Sequence, residues 1–216
     1  MSRIPSDHLR TCIDTILKFS EEHKRNFPET IELQIGLKHY DIKKDKRFAG
    51  SFELPACPRP NLNCCVLGDA SHCEQAAALG LPYMTVEDLG KLKGQNKLVK
   101  RLCKRYAFFV ASESVFKSLP RIVGPGFNKA GKFPSLVKKD EDLMNKINGL
   151  RSTIKFQLKK SLSLNIACAN VNMDKEDIAK NIILSVNFLI SLLKKGWTNI
   201  NTLHIKSTMG PAQRLF

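Results

Sequence analysis

The sequence predicts a mixed chain, α+β at its two ends and α/β in its middle, arranged as two domains. Three observations carry this. The first and last segments each pair an amphipathic helix with strands that alternate apolar and polar residues. The middle segment instead alternates helices with short, continuously apolar runs, the pattern of strands buried on both faces. Between the first and middle styles stand Pro55, Pro58 and Pro60, a cluster that stops regular structure. Neither end is complete alone. Together they make a discontinuous two-layer α+β sheet domain of residues 1–60 plus 150–216, with an inserted open α/β Rossmann-like domain at 61–149. Two chain crossings at one junction form a hinge.

The elements follow in order. A helix is expected over Ser6 to Glu22, with Leu9, Ile13, Ile16 and Leu17 as its stripe and Ser6 as N-cap. In PETIELQIGLK, Ile31, Leu33, Ile35 and Leu37 alternate with Thr30, Glu32, Gln34, Gly36 and Lys38, which is a half-buried strand. A charged turn from Lys43 to Arg47 leads to a strand near Ser51–Leu54. In the middle segment, Asn63–Gly68 and 106–112 are buried strands. Helices are expected over Ser71 to Leu79, over Asn96 to Arg105, and in a short piece ending near Leu119. In the last segment, Thr153–Leu158 and Leu162–Val171 read as strands. A helix over Asp174 to Lys195 follows, with Asp174 and Asp177 as a variant capping box and Gly196 as its stop. The final strand, INTLHIKST, sets Thr202, His204, Lys206 and Thr208 on one face and Leu203 and Ile205 on the other.

Charge narrows the function. The 216 residues hold 35 Lys+Arg against 20 Asp+Glu, a formal net of +15, which implies a polyanionic partner. Residues 151–216 hold 10 basic and 3 acidic side chains, and no acid lies between Leu143 and Met173 or after Asp177. The most apolar run, Ile182–Leu193, is interrupted by Ser and Asn and is too short to cross a bilayer, so no membrane partner is expected. The N-terminus has no hydrophobic stretch of the secretory type. The seven cysteines are odd in number and irregularly spaced, as expected of free thiols. Cys57, Cys64, Cys65, His72 and Cys73 cluster in sequence. Adjacent strand residues point to opposite faces, so Cys64 and Cys65 are poor joint zinc ligands, and neither a metal nor a cofactor is expected.

Residues 126–132, GFNKAGK, match the phosphate-loop spacing G-x-x-x-x-G-K. The hydroxyl that would bind magnesium is replaced by Phe133, and Pro134 removes an amide from the cradle. The five histidines share no spacing with a Ser or Cys nucleophile. A nucleotide-dependent enzyme is therefore the remote alternative and the chain is read as a non-enzyme. Lys129 and Lys132 are read as phosphate-backbone contacts or as parts of a structural turn.

The polar faces of the alternating strands carry small hydroxyls and lone charges rather than a solvated Lys/Glu mixture. Thr30, Glu32, Thr202 and Thr208 suit ribose hydroxyls and base edges, while Lys38, Lys155, Lys159 and Lys206 suit phosphates. Ribose contacts favour RNA. Ser207, Thr208, Met209 and Gly210 close the last strand in a tight turn, with Met209 a soft apolar contact and Gly210 permitting close backbone approach.

Four long stretches, GPGFNKAGKFPS (124–135), STIKFQLKK (152–160), VNFLISLLKKGW (186–197) and IKSTMGPAQR (205–214), resemble the eukaryotic form of the universal large-subunit ribosomal protein family "L-one", also called "L-ten-a". The resemblance runs along essentially the whole chain. It implies the same split-domain layout and a structural constituent of the mobile lateral stalk, monomeric within the ribosome. Its implied partners are the stalk junction of large-subunit rRNA and exit-site tRNA, whose deacylated form it helps release. Repression of its own mRNA is the alternative role. The implied location is the ribosome in the cytoplasm, with an assembly stage in the nucleus. The family's rRNA contacts map onto Phe27, Thr30 and Glu32, onto Thr202, and onto Thr208, Met209 and Gly210. The family often has Leu where this chain has Phe127, and the Cys64-Cys65 pair is not associated with it.

Overall fold

The computed structural model describes residues 4–42, 44, 45, 47–138 and 141–216; Lys43 and Lys46 of the expected charged turn lie outside the described residues. The chain divides into two compact units: one of Met1–Arg59 and Arg151–Phe216, the other of Pro60–Leu150.

The first unit holds α1 (Ser6–Glu22), β1 (Thr30–Leu37), β2 (Ala49–Glu53), β7 (Thr153–Gln157), β8 (Ser163–Asn170), α8 (Lys175–Leu192), β9 (Ile200–Ser207) and β10 (Gln213–Arg214). Its main sheet has the order β10-β9-β1-β8, and β2 and β7 form a separate antiparallel ribbon. β1 runs antiparallel to both neighbours, with Leu33 opposite Ile205 on one side and Ile166 on the other. Period-two alternation decides which face is covered. Ile31, Leu33, Ile35 and Leu37 share one core with Leu9, Ile13 and Ile16 of α1 and with Ile178, Ile182, Val186 and Leu189 of α8. Helices therefore cover one face, while Thr30, Glu32, Gln34 and Gly36 on the other stay half exposed.

Two caps differ from expectation. Pro5, not Ser6, is the N-cap of α1, and no side chain caps it. Asp174 is the N-cap of α8 but makes no side-chain cap bond, so the variant capping box does not form. Asp is one methylene shorter than the Glu such a box uses to reach back. α8 also ends at Leu192, and Gly196, with φ 52°, opens a single 3₁₀ turn, Gly196–Asn199.

The second unit holds β3 (Cys64–Leu67), α2 (Ala70–Ala78), β4 (Tyr83–Met84), α3 (Val86–Lys91), α4 (Asn96–Arg105), β5 (Phe108–Ser112), α5 (Glu113–Ile122), α6 (Gly126–Ala130), β6 (Ser135–Val137) and most of α7 (Leu143–Ser152). The strands are parallel in the order β4-β3-β5-β6. Both faces are covered. Cys65, Leu67, Phe109 and Ala111 pack with Leu89, Val99, Val115 and Phe127 on one side. Cys64, Val66 and Val110 pack with Ala76, Leu143 and Ile147 on the other. The adjacent cysteines thus lie in different cores.

Candidate nucleic-acid interface

The open face of the β10-β9-β1-β8 sheet is built from cross-strand rows set by register. Thr202 stands opposite Gly36, which stands opposite Ser163. Arg214, His204, Gln34 and Asn165 form a second row across all four strands. Lys206, Glu32 and Ala167 form a third. Glu32 and Lys206 are direct cross-strand neighbours, so the carboxylate tempers the ammonium, and neither acts as an isolated charge.

One end of this face is closed by the Thr30 and Thr208 side chains. Thr30 N–H donates to Thr208 Oγ1 at 3.2 Å, Thr208 Oγ1 donates to Thr30 O at 3.3 Å, and the two hydroxyl oxygens lie 3.1 Å apart. The turn that follows is held by Gly210 N–H donating to Ser207 Oγ at 3.0 Å. Ser207 is fully buried. Its role is to shape the turn from within, which departs from its reading as an RNA contact: it is the inward residue of an alternating strand. Gly210 is also needed internally, since a Cβ there meets Ser207 Oγ and lies 3.2 Å from the Phe19 ring. By contrast, Met209 is 56% exposed and Phe27 is 48% exposed. Both are apolar, and both lie beyond the Thr30–Thr208 end of the polar rows.

The β7 side carries the free positive charge. Lys155 and Lys159 line a groove of about 430 Å³ together with Gln157, Ser163 and Asn165. This groove joins the ribbon to the exposed side of β8. Lys38 lies just past β1, where Asn199 Nδ2 donates to its carbonyl at 3.3 Å. Its side chain is half exposed at the opposite end from Thr30.

The second unit resolves the phosphate-loop spacing. A working loop of that kind joins a strand to a helix. Here residues 126–132 follow α5 and form the short helix α6, with Gly131 as a left-handed C-cap at φ 69°. Phe127 is buried, with its ring 4.8 Å from that of Phe109. Lys132 Nζ donates to Cys103 O and Tyr106 O at 2.8 Å each, closing the C-terminal end of α4. Of the two lysines read as phosphate-facing, Lys132 is spent on backbone carbonyls and Lys129 is exposed.

Gln34, His204, Asn165 and Arg214 were not among the sequence-read contacts. The alternation already placed the first two on the polar face. The missing signal was register, which is a property of paired strands and not of one strand.

An open, polar, one-sided sheet with a basic groove and an exposed apolar pair at one end, in a chain that also carries a parallel α/β unit, defines a class of binding protein. The comparisons narrow the class. Residues 16–211 match the model of the ribosomal protein L1p/L10e family. The chain is 56% identical to large ribosomal subunit protein uL1z of Arabidopsis thaliana over 100% of both chains. It is 54% identical to large ribosomal subunit protein uL1A of Schizosaccharomyces pombe, again over 100% of both. It is 51% identical to large ribosomal subunit protein uL1 of Spodoptera frugiperda, over 100% of this chain and 99% of that one. The chain belongs to the ribosomal protein L1p/L10e family in its eukaryotic form; it is a ribosomal protein and not an enzyme.

Proposed function

We propose that this protein is a structural constituent of the large ribosomal subunit that grips the stalk junction of large-subunit rRNA with the open sheet face of its first unit. In this reading it acts in the cytoplasm as the protein of the mobile lateral stalk, after a nuclear assembly stage. Its inserted unit meets exit-site tRNA and assists release of the deacylated molecule. The observation that carries the reading is the one-sided sheet: helices cover one face, while the other presents hydroxyl, amide and imidazole groups beside exposed Phe27 and Met209. Such groups suit ribose and base edges, and the Lys155–Lys159 groove suits phosphates.

The test is binding of the purified chain to a stalk-junction rRNA fragment across a salt series. Phe27→Ala and Met209→Ala remove exposed apolar contacts without touching the core. They should weaken binding while leaving the log–log salt slope nearly unchanged. Lys155→Ala with Lys159→Ala should flatten that slope by ~0.7–0.9 per lost phosphate contact. Wild-type binding by all of these variants would move the RNA site off this face.

A further inference from the structure

We infer that the open edge of β4, with the connection that carries it from α2 to α3, docks a basic, extended segment of a partner protein. Charge points there first. The chain holds 35 Lys and Arg side chains, yet none falls within Pro60–Gly90, which holds Asp69, Glu74, Glu87 and Asp88. That stretch builds β3, α2, β4 and α3. It carries −4 in a chain of +15. A phosphate backbone is repelled by such a surface, and the Lys or Arg side chains of a protein are drawn to it. Glu74 and Glu87 are exposed and form no ion pair among the described residues. Asp88 is engaged by Lys91 at 2.8 Å.

Apolar exposure falls on the same connection. From Gln75 to Val86 no side chain is charged. Within this tract Leu79, Tyr83 and Val86 are 46%, 46% and 42% exposed. Leu79 closes α2, Tyr83 lies in β4 and Val86 opens α3. The turn after α2 is fixed by Gly80 N–H donating to Ala77 O at 3.1 Å and by Leu81 N–H donating to Ala76 O at 2.8 Å. These side chains are therefore displayed on ordered backbone, and large apolar groups so displayed mark contact with another protein.

The backbone supplies the mode of contact. β4 is an edge strand, paired with β3 alone. Pro82 O and Met84 O accept from the N–H groups of Val66 and Gly68 at 2.9 and 3.3 Å. Successive residues of a strand alternate sides, so the N–H and carbonyl of Tyr83 turn to the side that has no neighbouring strand. Exposed edges are commonly guarded by lysine, and this one carries none. An added strand that alternates apolar and basic residues would bond the Tyr83 backbone. One of its rows would rest on Leu79 and Val86, and its cations would meet Glu74 and Glu87. The patch is small, so the contact is weak and reversible. This inference goes beyond the proposed function and needs no RNA.

The test uses the full, isotope-labelled chain and amide NMR. The probe is an acetylated, amidated heptapeptide of alternating lysine and valine. Amides within residues 74–88 should shift and saturate at millimolar peptide, while those of the open sheet face should not. A glutamate–valine peptide should bind at least about tenfold more weakly, and Glu74→Lys/Glu87→Lys should weaken the lysine–valine peptide by about as much. Leu79→Ala/Val86→Ala should weaken it about fivefold. Both variants change exposed side chains and should melt as wild type. Backbone N-methylation of the peptide, at its lysines or at its valines, should abolish binding in one case and spare it in the other, because only one row of amides meets Tyr83. Absence of shifts within 74–88, equal binding of the glutamate peptide, or binding of both methylated peptides would overturn the proposal. So would shifts of these same amides caused by the stalk-junction rRNA fragment, which make this an RNA face. Shifts on simple concentration of the chain would make it a contact between copies and also overturn it.

Discussion

Thr30 and Thr208 lie 178 residues apart and hold each other by hydroxyl and backbone hydrogen bonds of 3.1–3.3 Å. The start of the first strand is thus stapled to the residue just past the last long strand. Thr208 serves the fold before it serves any ligand. Thr208→Val should remove about 1 kcal/mol of net hydrogen bonding and lower the melting temperature by ~2–4 °C. Thr208→Ser keeps the hydroxyl and should melt as wild type. RNA affinity measured beside these melts separates contact from staple: a contact role demands a loss from Thr208→Val larger than its melting shift explains.

Gly210→Ala puts a methyl group against Ser207 Oγ and the Phe19 ring, and the Gly210 N–H to Ser207 Oγ bond must lengthen. The expected cost is ~1–3 kcal/mol, the usual price of overfilling a packed site. Ser207→Ala should cost less, because it removes the bond without adding volume. Chemical denaturation of both variants checks the order.

Lys132→Ala should destabilise the second unit by ~1.5–3 kcal/mol, since two carbonyls at the end of α4 lose a charged donor. ATP or GTP at millimolar concentration should leave the melting temperature of the wild type unchanged. A nucleotide-dependent rise abolished by this variant would restore a phosphate-loop role.

Thiol reactivity should follow burial. Burial pushes the Cys65 thiol up to about 12 and the Cys168 thiol up to about 11. Cys12, Cys73 and Cys103 are raised by the same cause. Of the seven, only Cys57 is not buried. Iodoacetamide at neutral pH should modify Cys57 first, and peptide mass mapping should find the others labelled only after unfolding. A folded thiol pKa above the ordinary 9.0 favours the protonated form in the native state. That contribution is present below pH 9 and is lost as the pH climbs from there towards 12.

Acid should act on surface carboxylates with lysine partners. Hydrogen bonds from Lys175, Lys194, Lys91 and Lys146 hold Asp14, Asp45, Asp88 and Glu141 below the usual carboxylate range. A depressed native pKa gives stability that is present above the unfolded value of 3.8 for Asp and 4.5 for Glu. It is lost as pH falls through the native value. These groups are exposed, so each effect is small. Asp45→Asn should lower the melting temperature slightly at pH 6 and make the fall between pH 5 and pH 3 shallower.

Much of the fold was legible because burial writes a period into the chain. The α1 and α8 stripes follow from 3.6-residue spacing, and the polar and apolar faces of β1 and β9 follow from alternation. β4, α3, α6 and β6 were not legible, being two to six residues long and too short to show any period. α7 was missed as well; of its ten residues, Leu143 and Ile147 are the ones in the core, and two positions make a faint stripe. On the open sheet face, the outward residues were readable and their partners were not. Nothing local says that Gln34 stands between His204 and Asn165, or that Thr208 reaches Thr30.

What the sequence by itself determined is the charge, the one-sided sheet strands, the doubly buried middle strands and the defect in the phosphate loop, because each depends on residue type and near-neighbour spacing. Tertiary structure alone decided which nominated residues face outward. Gly210 is crowded by Ser207 and Phe19, Lys132 is consumed by two carbonyls, and the α4 lysines face Lys129 across a cleft. The physical reason is that hydrogen-bond partners and like-charge neighbours are set by distance in space. Residues 26 to 178 positions apart meet only when the strands and helices that carry them have packed.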